Sequence, residues 1–368
     1  MERFDVCVQG NGPVGMSLAL ALARLGLSVA WRGTQPAPAG ADVRTYALSA
    51  TSVSLLEQLG VWAALPDDAR TAVLEMRVHG DVPGNGLRFS VAEQGLMVLA
   101  WIVDAAELER VLHDALREAP GIVRVGHEVD AALQALADGR DSLGRRARGV
   151  ETDVHRYGQK AVAARLLADR VHEGVARQWF RAPDVLALLP FDRPRRGLGY
   201  GLVWSVPDER AAELLAMDEA AFEAAVGEAT GGQAGALRLA SPRAAWSLQL
   251  ARAREVCGEG WVLLGDAAHV VHPLAGQGLN LGLADVAALA RTLAARESFR
   301  SPGDAKLLRR YARERAWPVR SMGQLTDGLL ELFAHPHPLA RELRNRGLGL
   351  LDGLPPLKRF LATRAVQS

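Results

Sequence analysis

The stretch from Phe4 to Leu25 limits the fold most narrowly. Phe4-Asp5-Val6-Cys7-Val8-Gln9 reads as a short apolar strand, and Gly10-Asn11-Gly12-Pro13-Val14-Gly15 follows at once, leading into an alanine- and leucine-rich helix from about Met16 to Leu25. That order is the dinucleotide-binding fingerprint in its proper context. Gly10 suits the tight turn, Gly12 lets backbone approach a pyrophosphate, and Gly15 allows the helix to pack closely on the strand. Pro13 and Val14 lie within the same turn and count with the glycines as cofactor-binding candidates. Ser28-Val29-Ala30-Trp31 supplies a second strand, so the chain is expected to build an α/β fold with a Rossmann-like layer.

A second segment adds chemistry. Trp261-Val262-Leu263-Leu264 suits a buried strand, which places Gly265 and Asp266 at its carboxyl end, where open α/β sheets bind ligands. A carboxylate there can accept hydrogen bonds from a polyol. After Pro273, the glycines Gly276 and Gly278 flank Gln277 just ahead of a run of helix formers from Leu279 and Asn280 to Ala290. The first amides of that helix favour negative charge on a ligand by about 0.3–1 kcal/mol when exposed, and by more when buried.

The wording GDAAHVVHPLAGQGLNLGLADVAAL, from Gly265 to Leu289, resembles the flavoprotein aromatic hydroxylases similar to para-hydroxybenzoate hydroxylase, and among them the ubiquinone-biosynthesis hydroxylases. The resemblance implies FAD, with Asp266 on its ribityl or pyrophosphate part and the stretch from Pro273 to Asn280, including Leu279, along the isoalloxazine. It also implies that Arg44, in Asp42-Val43-Arg44-Thr45-Tyr46-Ala47-Leu48-Ser49, approaches the flavin. Ala137-Asp138-Gly139-Arg140-Asp141-Ser142-Leu143-Gly144-Arg145 resembles a family motif whose aspartate nears both FAD and the path of the nicotinamide cofactor. The implied activity is hydroxylation of an aromatic ring with O2, with NAD(P)H as a transient reductant and a prenylated phenol or quinol of ubiquinone biosynthesis as substrate. A hydroxylase of a small soluble phenol and a catalytically silent accessory subunit are the alternatives, and no substrate base is assigned.

Two departures motivate the second alternative. The fingerprint calls for an acid about twenty residues on to hold the adenosine ribose, and Gly33 stands there; the adjacent Arg32 opens a competing NADP-binding reading. Family members also carry two or three strands between the region of Gly121 to Val125 and the motif at Ala137, whereas only about a dozen residues intervene here, and Asp130 to Ala137 is a poor strand by propensity.

The expected organisation is an FAD-binding domain from 1–75, 95–150 and 240–330, interleaved with a mixed-sheet substrate domain from 76–94 and 151–239, and a helical C-terminal segment from 331–368. Ala161 to Leu166, Val185 to Pro190 and Leu202 to Val206 are expected strands of the second sheet, with Leu188 to Phe191 and Ala245 to Leu248 as walls over the flavin. Glu209 to Val226 reads as one amphipathic surface helix. A formal net charge of +1 argues against a nucleic-acid partner. Two widely separated cysteines, the absence of a basic-then-apolar leader and short apolar runs point to a cytoplasmic enzyme. His269 and His272 lack further ligands for a metal, and His335 and His337 read as a proline-stiffened helix break. The arginines mixed with leucine and phenylalanine between Leu307 and Ser368 raise a peripheral membrane or partner contact against the plainer reading of a packed helical tail.

Overall fold

The computed structural model describes residues 3–33, 42–80, 86–271 and 277–334. The chain opens with β1 (Phe4–Gln9), α1 (Pro13–Arg24), β2 (Val29–Arg32), β3 (Thr45–Leu48) and α2 (Ala50–Gln58). It continues through β4 (Arg70–Val73), β5 (Glu75–His79), β6 (Gly86–Ser90), α3 (Val91–Gln94), β7 (Ala100–Asp104), α4 (Ala105–Glu118), β8 (Ile122–Arg124), β9 (Ala131–Leu136) and α5 (Leu143–Ala147). The middle holds β10 (Thr152–Ala168), β11 (Val175–Arg181), β12 (Asp184–Phe191), β13 (Gly199–Pro207), α6 (Asp208–Ala216), α7 (Glu219–Thr230), β14 (Leu237–Leu239) and β15 (Ala244–Ala253). It closes with β16 (Cys257–Gly258), β17 (Trp261–Leu263), β18 (His269–Val270), α8 (Gln277–Ala294) and α9 (Ala305–Ala334).

Three sheets organise these elements. The nucleotide-type sheet runs β16-β17-β9-β1-β2-β8, parallel from β17 to β8 and closed at one edge by antiparallel β16. Its central strands carry Val6, Val8, Val29, Leu133, Ala135 and Val262, all fully buried, because both faces of a parallel sheet are covered. α4 covers one side with Leu108, Val111, Leu112 and Leu116, a helical stripe, and starts at a well-made cap in which Asp104 accepts from the amides of Ala106 and Glu107. The larger sheet runs β18-β15-β10-β13-β12-β11-β5-β6, with β14 also paired to β10. A small antiparallel sheet, β3-β7-β4, lies between the two.

The registers sort the large sheet into two faces. Val162, Leu186, Trp204 and Trp179 share a face with a core closed by Ala211 and Leu214 of α6 and Phe222 and Val226 of α7. The opposite face carries Ala161, Ala163, Ala187, Val203 and Gly201, and there the sheet meets the small one: a Cβ added to Gly201 would lie 2.6 Å from the Thr45 hydroxyl. Phe191 of β12 buries itself against Ile102 and Val73 at the same junction. A charge cluster completes it, with buried Asp104 accepting from Arg165 of β10 at 3.0 Å and Arg193 at 3.2 Å.

Several expectations change here. Residues 244–253 fall inside the 240–330 stretch expected for the FAD-binding domain, but they form β15 within the large sheet, in keeping with the expectation of Ala245 to Leu248 as a wall segment, and the chain rejoins the parallel sheet at β16. The expected helix Glu209 to Val226 is two helices, because Asp218 leaves the helix and caps α7 through the Ala221 amide. Ala131–Leu136 forms the strand β9 despite its weak propensity, held on both sides by β1 and β17. Of the expected wall segments, alternate residues face opposite ways: Leu189 and Phe191 point toward the small sheet while Leu188 joins the core under α6 and α7. The His335–His337 break and the basic runs beyond it lie outside the described residues, and among those described no helix is long and apolar enough to cross a membrane.

Candidate functional site

The carboxyl ends of β1, β9 and β17 lie side by side, which brings Gly10, Ala137 and Gly265 to one edge of the parallel sheet. The Ala137 amide donates to the Gln9 carbonyl at 2.7 Å and the Leu264 amide to the Leu136 carbonyl at 2.9 Å. Gly10 adopts φ +146 and sits so close to this neighbour that a Cβ would lie 2.2 Å from the Ala137 carbonyl oxygen, so only glycine fits. Gly15 packs equally tightly, with its missing Cβ 2.8 Å from the Gly10 carbonyl. Gly12 is different: its φ of −84 is ordinary, and a Cβ there would meet nothing within 4 Å. Gly12 thus faces open space at the amino end of α1, as a position reserved for a pyrophosphate would.

The second motif interlocks with the first. A Cβ added to Gly265, which has φ +56, would lie 3.3 Å from the Val14 side chain, and one added to Gly282 of α8 would lie 2.5 Å from the same valine. Val14 is therefore wedged between the turn at Gly265 and α8. Asp285, also on α8 and fully buried, fixes that turn by accepting from the Gly265 amide at 2.9 Å, from His269 Nε2 at 2.7 Å and from Arg315 Nε of α9 at 2.6 Å. Burial works against the Asp285 charge, but His269, Arg315 and the Gly265 amide outweigh it and hold its pKa below the usual carboxylate range. An ionised carboxylate only accepts, so His269 Nε2 carries the shared proton.

Asp266 projects from this braced turn and is reached by solvent, yet the protein crowded around its carboxyl pushes its pKa up, with His269, Arg140 and Arg44 opposing the shift. A carboxyl that is both accessible and poorly solvated marks the wall of a cleft. Arg44 stands nearby, clamped by Asp42 through Nε at 2.9 Å and Nη2 at 2.6 Å, touched by Glu109 at 3.3 Å and lying over the Tyr46 ring. Burial pushes the Tyr46 phenol far up, and it pushes the Glu109 carboxyl up against the pull of Arg44. Asp138 completes the edge: its Oδ2 accepts from the Gly144 amide at 3.1 Å, while its buried Oδ1 meets no partner among the described residues. Buried Arg145 ties this loop to the other by donating to the Ala267 carbonyl at 2.8 Å.

At the start of α8, Gln277 and Asn280 are buried, and a Cβ on Gly278 would meet nothing within 4 Å. The Asn280 side chain turns inward: its Oδ1 accepts from the Ser49 amide at 3.0 Å and the Ser52 hydroxyl at 2.7 Å, and its Nδ2 donates to the Ala47 carbonyl at 2.9 Å. What this helix offers a ligand is backbone amide and positive dipole, not the asparagine amide. Pro273 and Gly276 lie outside the described residues.

The sequence profile of an FAD-binding domain matches residues 3–156 and 135–326. Ubiquinone hydroxylase UbiL of Rhodospirillum rubrum is 33% identical over 98% of this chain and 89% of its own length. The chain belongs to the FAD-dependent aromatic hydroxylases. A further relative is the 3-demethoxyubiquinol 3-hydroxylase of Escherichia coli, 31% identical over 97% of both chains. Among solved structures, p-nitrophenol 4-monooxygenase PnpA of Pseudomonas putida superposes with a TM-score of 0.79 at 19% identity, covering 100% of this chain and 99% of that one, which supports the fold. This monooxygenase takes FAD as its cofactor, and the open space at Gly12, the orphaned Asp138 oxygen and the crowded Asp266 carboxyl fit that group.

Sequence reasoning passed over the residues that brace the site: Asp285, Gly282, Arg145, and Ser49 with Ser52. Asp285 carried a signal, since an aspartate in the middle of an otherwise apolar helical stretch needs a buried partner.

Proposed function

We propose that this monooxygenase hydroxylates an electron-rich aromatic ring that carries an apolar tail, a prenylated phenol or quinol of ubiquinone biosynthesis, using O2 and NAD(P)H. The flavin, when bound, supplies the oxygen-activating redox chemistry, and the protein supplies binding, orientation and a dry cavity. Gly10, Gly12, Pro13, Val14 and Gly15 would line the pyrophosphate, with the amino end of α1 toward its charge. Gly265 and Asp266 would take the ribityl chain, Arg44 would support the same cofactor, Pro273 and Gly276 would lie along the isoalloxazine, and the leading amides of α8 at Gln277, Gly278, Leu279 and Asn280 would favour negative charge on it. In this reading the parallel sheet with the small sheet is the FAD-binding domain and the large sheet is the substrate domain.

The observation that carries the substrate class is the face of the large sheet turned toward the small one. Its residues Ala161, Ala163, Ala187, Val203 and Gly201 are small and uncharged, and Arg165, the cation that shares the face, is engaged by Asp104 at 3.0 Å and the Asp42 carbonyl at 3.0 Å, which favours a ring and tail held by apolar contact over an anionic phenol held by paired cations. The relatives named as ubiquinone and demethoxyubiquinol hydroxylases support the same class. Purified holoprotein given NADPH or NADH, O2 and phenols of increasing prenyl length should yield oxygenated product whose kcat/KM rises with chain length. Reductant consumed with peroxide as the only product would reject the hydroxylase of prenylated rings, and turnover confined to short, soluble phenols would replace it with a soluble-phenol hydroxylase.

A further inference from the structure

A serine lies in the middle of the apolar face that the large sheet turns toward the small one. Pairing registers set Trp246 of β15, Ala161 of β10, Ser205 of β13 and Val185 of β12 in one row across four neighbouring strands, with Ala163, Val203 and Ala187 in the next row. On its own face the Ser205 hydroxyl is thus ringed by alanine and valine. Ser205 is 4% exposed, and its hydroxyl bonds to none of the described residues, whereas the buried hydroxyls of Ser49, Ser52, Ser142, Thr230 and Thr292 each meet a partner at 2.7–3.2 Å. A buried hydroxyl left unpaired costs stability and calls for a partner from outside the chain.

Two contacts fix where the row lies. On β15, Leu250 shares the face of Trp246 and packs on Val271 and Leu281, beside the flavin-facing start of α8. On β13, Gly201 shares the face of Ser205 and meets Thr45; two residues along β3, Ala47 accepts from Asn280 at that same helix start. Ser205 and Trp246 stand between these two points, so their row roofs the start of α8. Arg165 shares the face two rows away, but its guanidinium is taken by Asp104 and the Asp42 carbonyl and lies 5.2 Å over the Phe191 ring. Gln178, opposite Ala187, is already engaged.

We infer that Ser205 binds the oxygen substituent of the substrate ring, which lies over Ala161 between Trp246 and the Ser205 hydroxyl. The inference rests on the substrate class proposed above. Neighbouring strands are about 4.8 Å apart, so β15 and β13, on either side of β10, stand about 10 Å apart and leave the width of one aromatic ring above Ala161. A hydroxyl can donate to the oxygen of a phenol or quinol and accept from it. Apolar contact holds such a ring but lets it turn in its own plane, whereas a hydrogen bond to one ring oxygen fixes which carbon faces the flavin. Ser205 is thus a specificity residue for the position hydroxylated.

The test titrates holoprotein with 2-geranylphenol and with geranylbenzene, which has the same ring and tail without the oxygen, and follows the visible spectrum of the bound flavin. Ser205→Ala should lower the ratio of phenol affinity to hydrocarbon affinity about fivefold, the value of one neutral hydrogen bond, while geranylbenzene binds as before. Ser205→Thr, which keeps a hydroxyl, should hold the ratio above that of the alanine variant. Ser205→Ala apoprotein should melt within about 1 °C of wild type or higher, because no hydrogen bond within the protein is lost. A ratio that stays within about twofold of wild type in Ser205→Ala overturns the inference, because another group then binds the ring oxygen. A destabilised apoprotein overturns it as well, by showing that the hydroxyl serves the fold. If neither compound perturbs the flavin spectrum of wild type, it is the substrate reading that has failed.

Discussion

Replacing Asp285 with Asn tests whether one buried carboxylate holds the flavin-facing turn. Asp285 accepts from the Gly265 amide, His269 Nε2 and Arg315 Nε, and Arg315 also donates to the Leu281 carbonyl at 3.2 Å. Asparagine keeps one acceptor oxygen but turns an NH2 toward groups that are themselves donors. It also leaves the Arg315 guanidinium, 12% exposed, without its counter-charge. Breaking a buried pair in this way costs about 3–5 kcal/mol. Unfolding entropy of about 2.1 cal/mol/K per residue over 368 residues gives about 0.8 kcal/mol/K, so the melting temperature should fall by about 4–6 °C. The sign of the pH dependence follows from the lowered Asp285 pKa: its contribution is fully present above the ordinary aspartate value of about 3.9 and is lost as pH falls through the lower folded value. Thermal unfolding followed by circular dichroism should therefore show a constant gap between wild type and Asp285→Asn from pH 5 to 8, narrowing below about pH 4. FAD affinity should drop in the same variant, because Asp266 sits on the loosened turn. A variant melting within 1 °C of wild type at pH 7, or a gap that widens in acid, would refute the reasoning.

Two further outcomes separate binding from folding. Asp266→Asn should stabilise the apoprotein at neutral pH while weakening FAD binding: burial raises the Asp266 pKa, so the charged form costs stability that is lost as pH rises above the ordinary aspartate value; melting curves of apoprotein beside FAD titrations check both halves, and a destabilised apoprotein counts against it. Gly12→Ala should leave apoprotein stability within about 0.5 kcal/mol yet cut FAD affinity at least tenfold, because its Cβ enters empty space, whereas Gly282→Ala, whose Cβ would lie 2.5 Å from Val14, should cost about 1–3 kcal/mol of packing strain with or without ligand; equal effects of the two on apoprotein melting would show that the space at Gly12 is not reserved for ligand.

The parts of the site legible in sequence are those where backbone geometry restricts residue type. Gly10 and Gly15 had to be glycine because their neighbours approach within 2.2 and 2.8 Å of a missing Cβ, so the pattern itself records the packing. The turn at Gly265 and the start of α8 were legible for the same reason. Roles that depend on tertiary partners were not. β9 reads Ala-Ala-Leu-Gln-Ala-Leu, with little intrinsic preference for a strand, and becomes one because β1 and β17 saturate its backbone on both sides. Asn280 looks like a ligand-facing residue in the motif, but its shortest hydrogen bonds run to α2 and its cap and to the end of β3. Trp31 reads as one more apolar strand residue, and only the fold shows that its ring takes the space beside Gly33.

These bracing contacts converge on a single helix. None of the loops that face the ligand belongs to a long strand, so their positions must be set from behind. α8 does this along its first half: Asn280 anchors β3 and α2, Gly282 admits Val14 of α1, and Asp285 holds both the Gly265 turn and Arg315 of α9. Because Asn280, Gly282 and Asp285 lie within two turns, the three attachments are rigidly related, and displacement of one shifts the others. A ligand that presses on the amides at the start of α8 therefore bears on every loop of the site at once. FAD should accordingly raise the stability of α1, the Gly265 turn and the first half of α9 together, and the coupling runs through Asp285, which has contacts to all but the first.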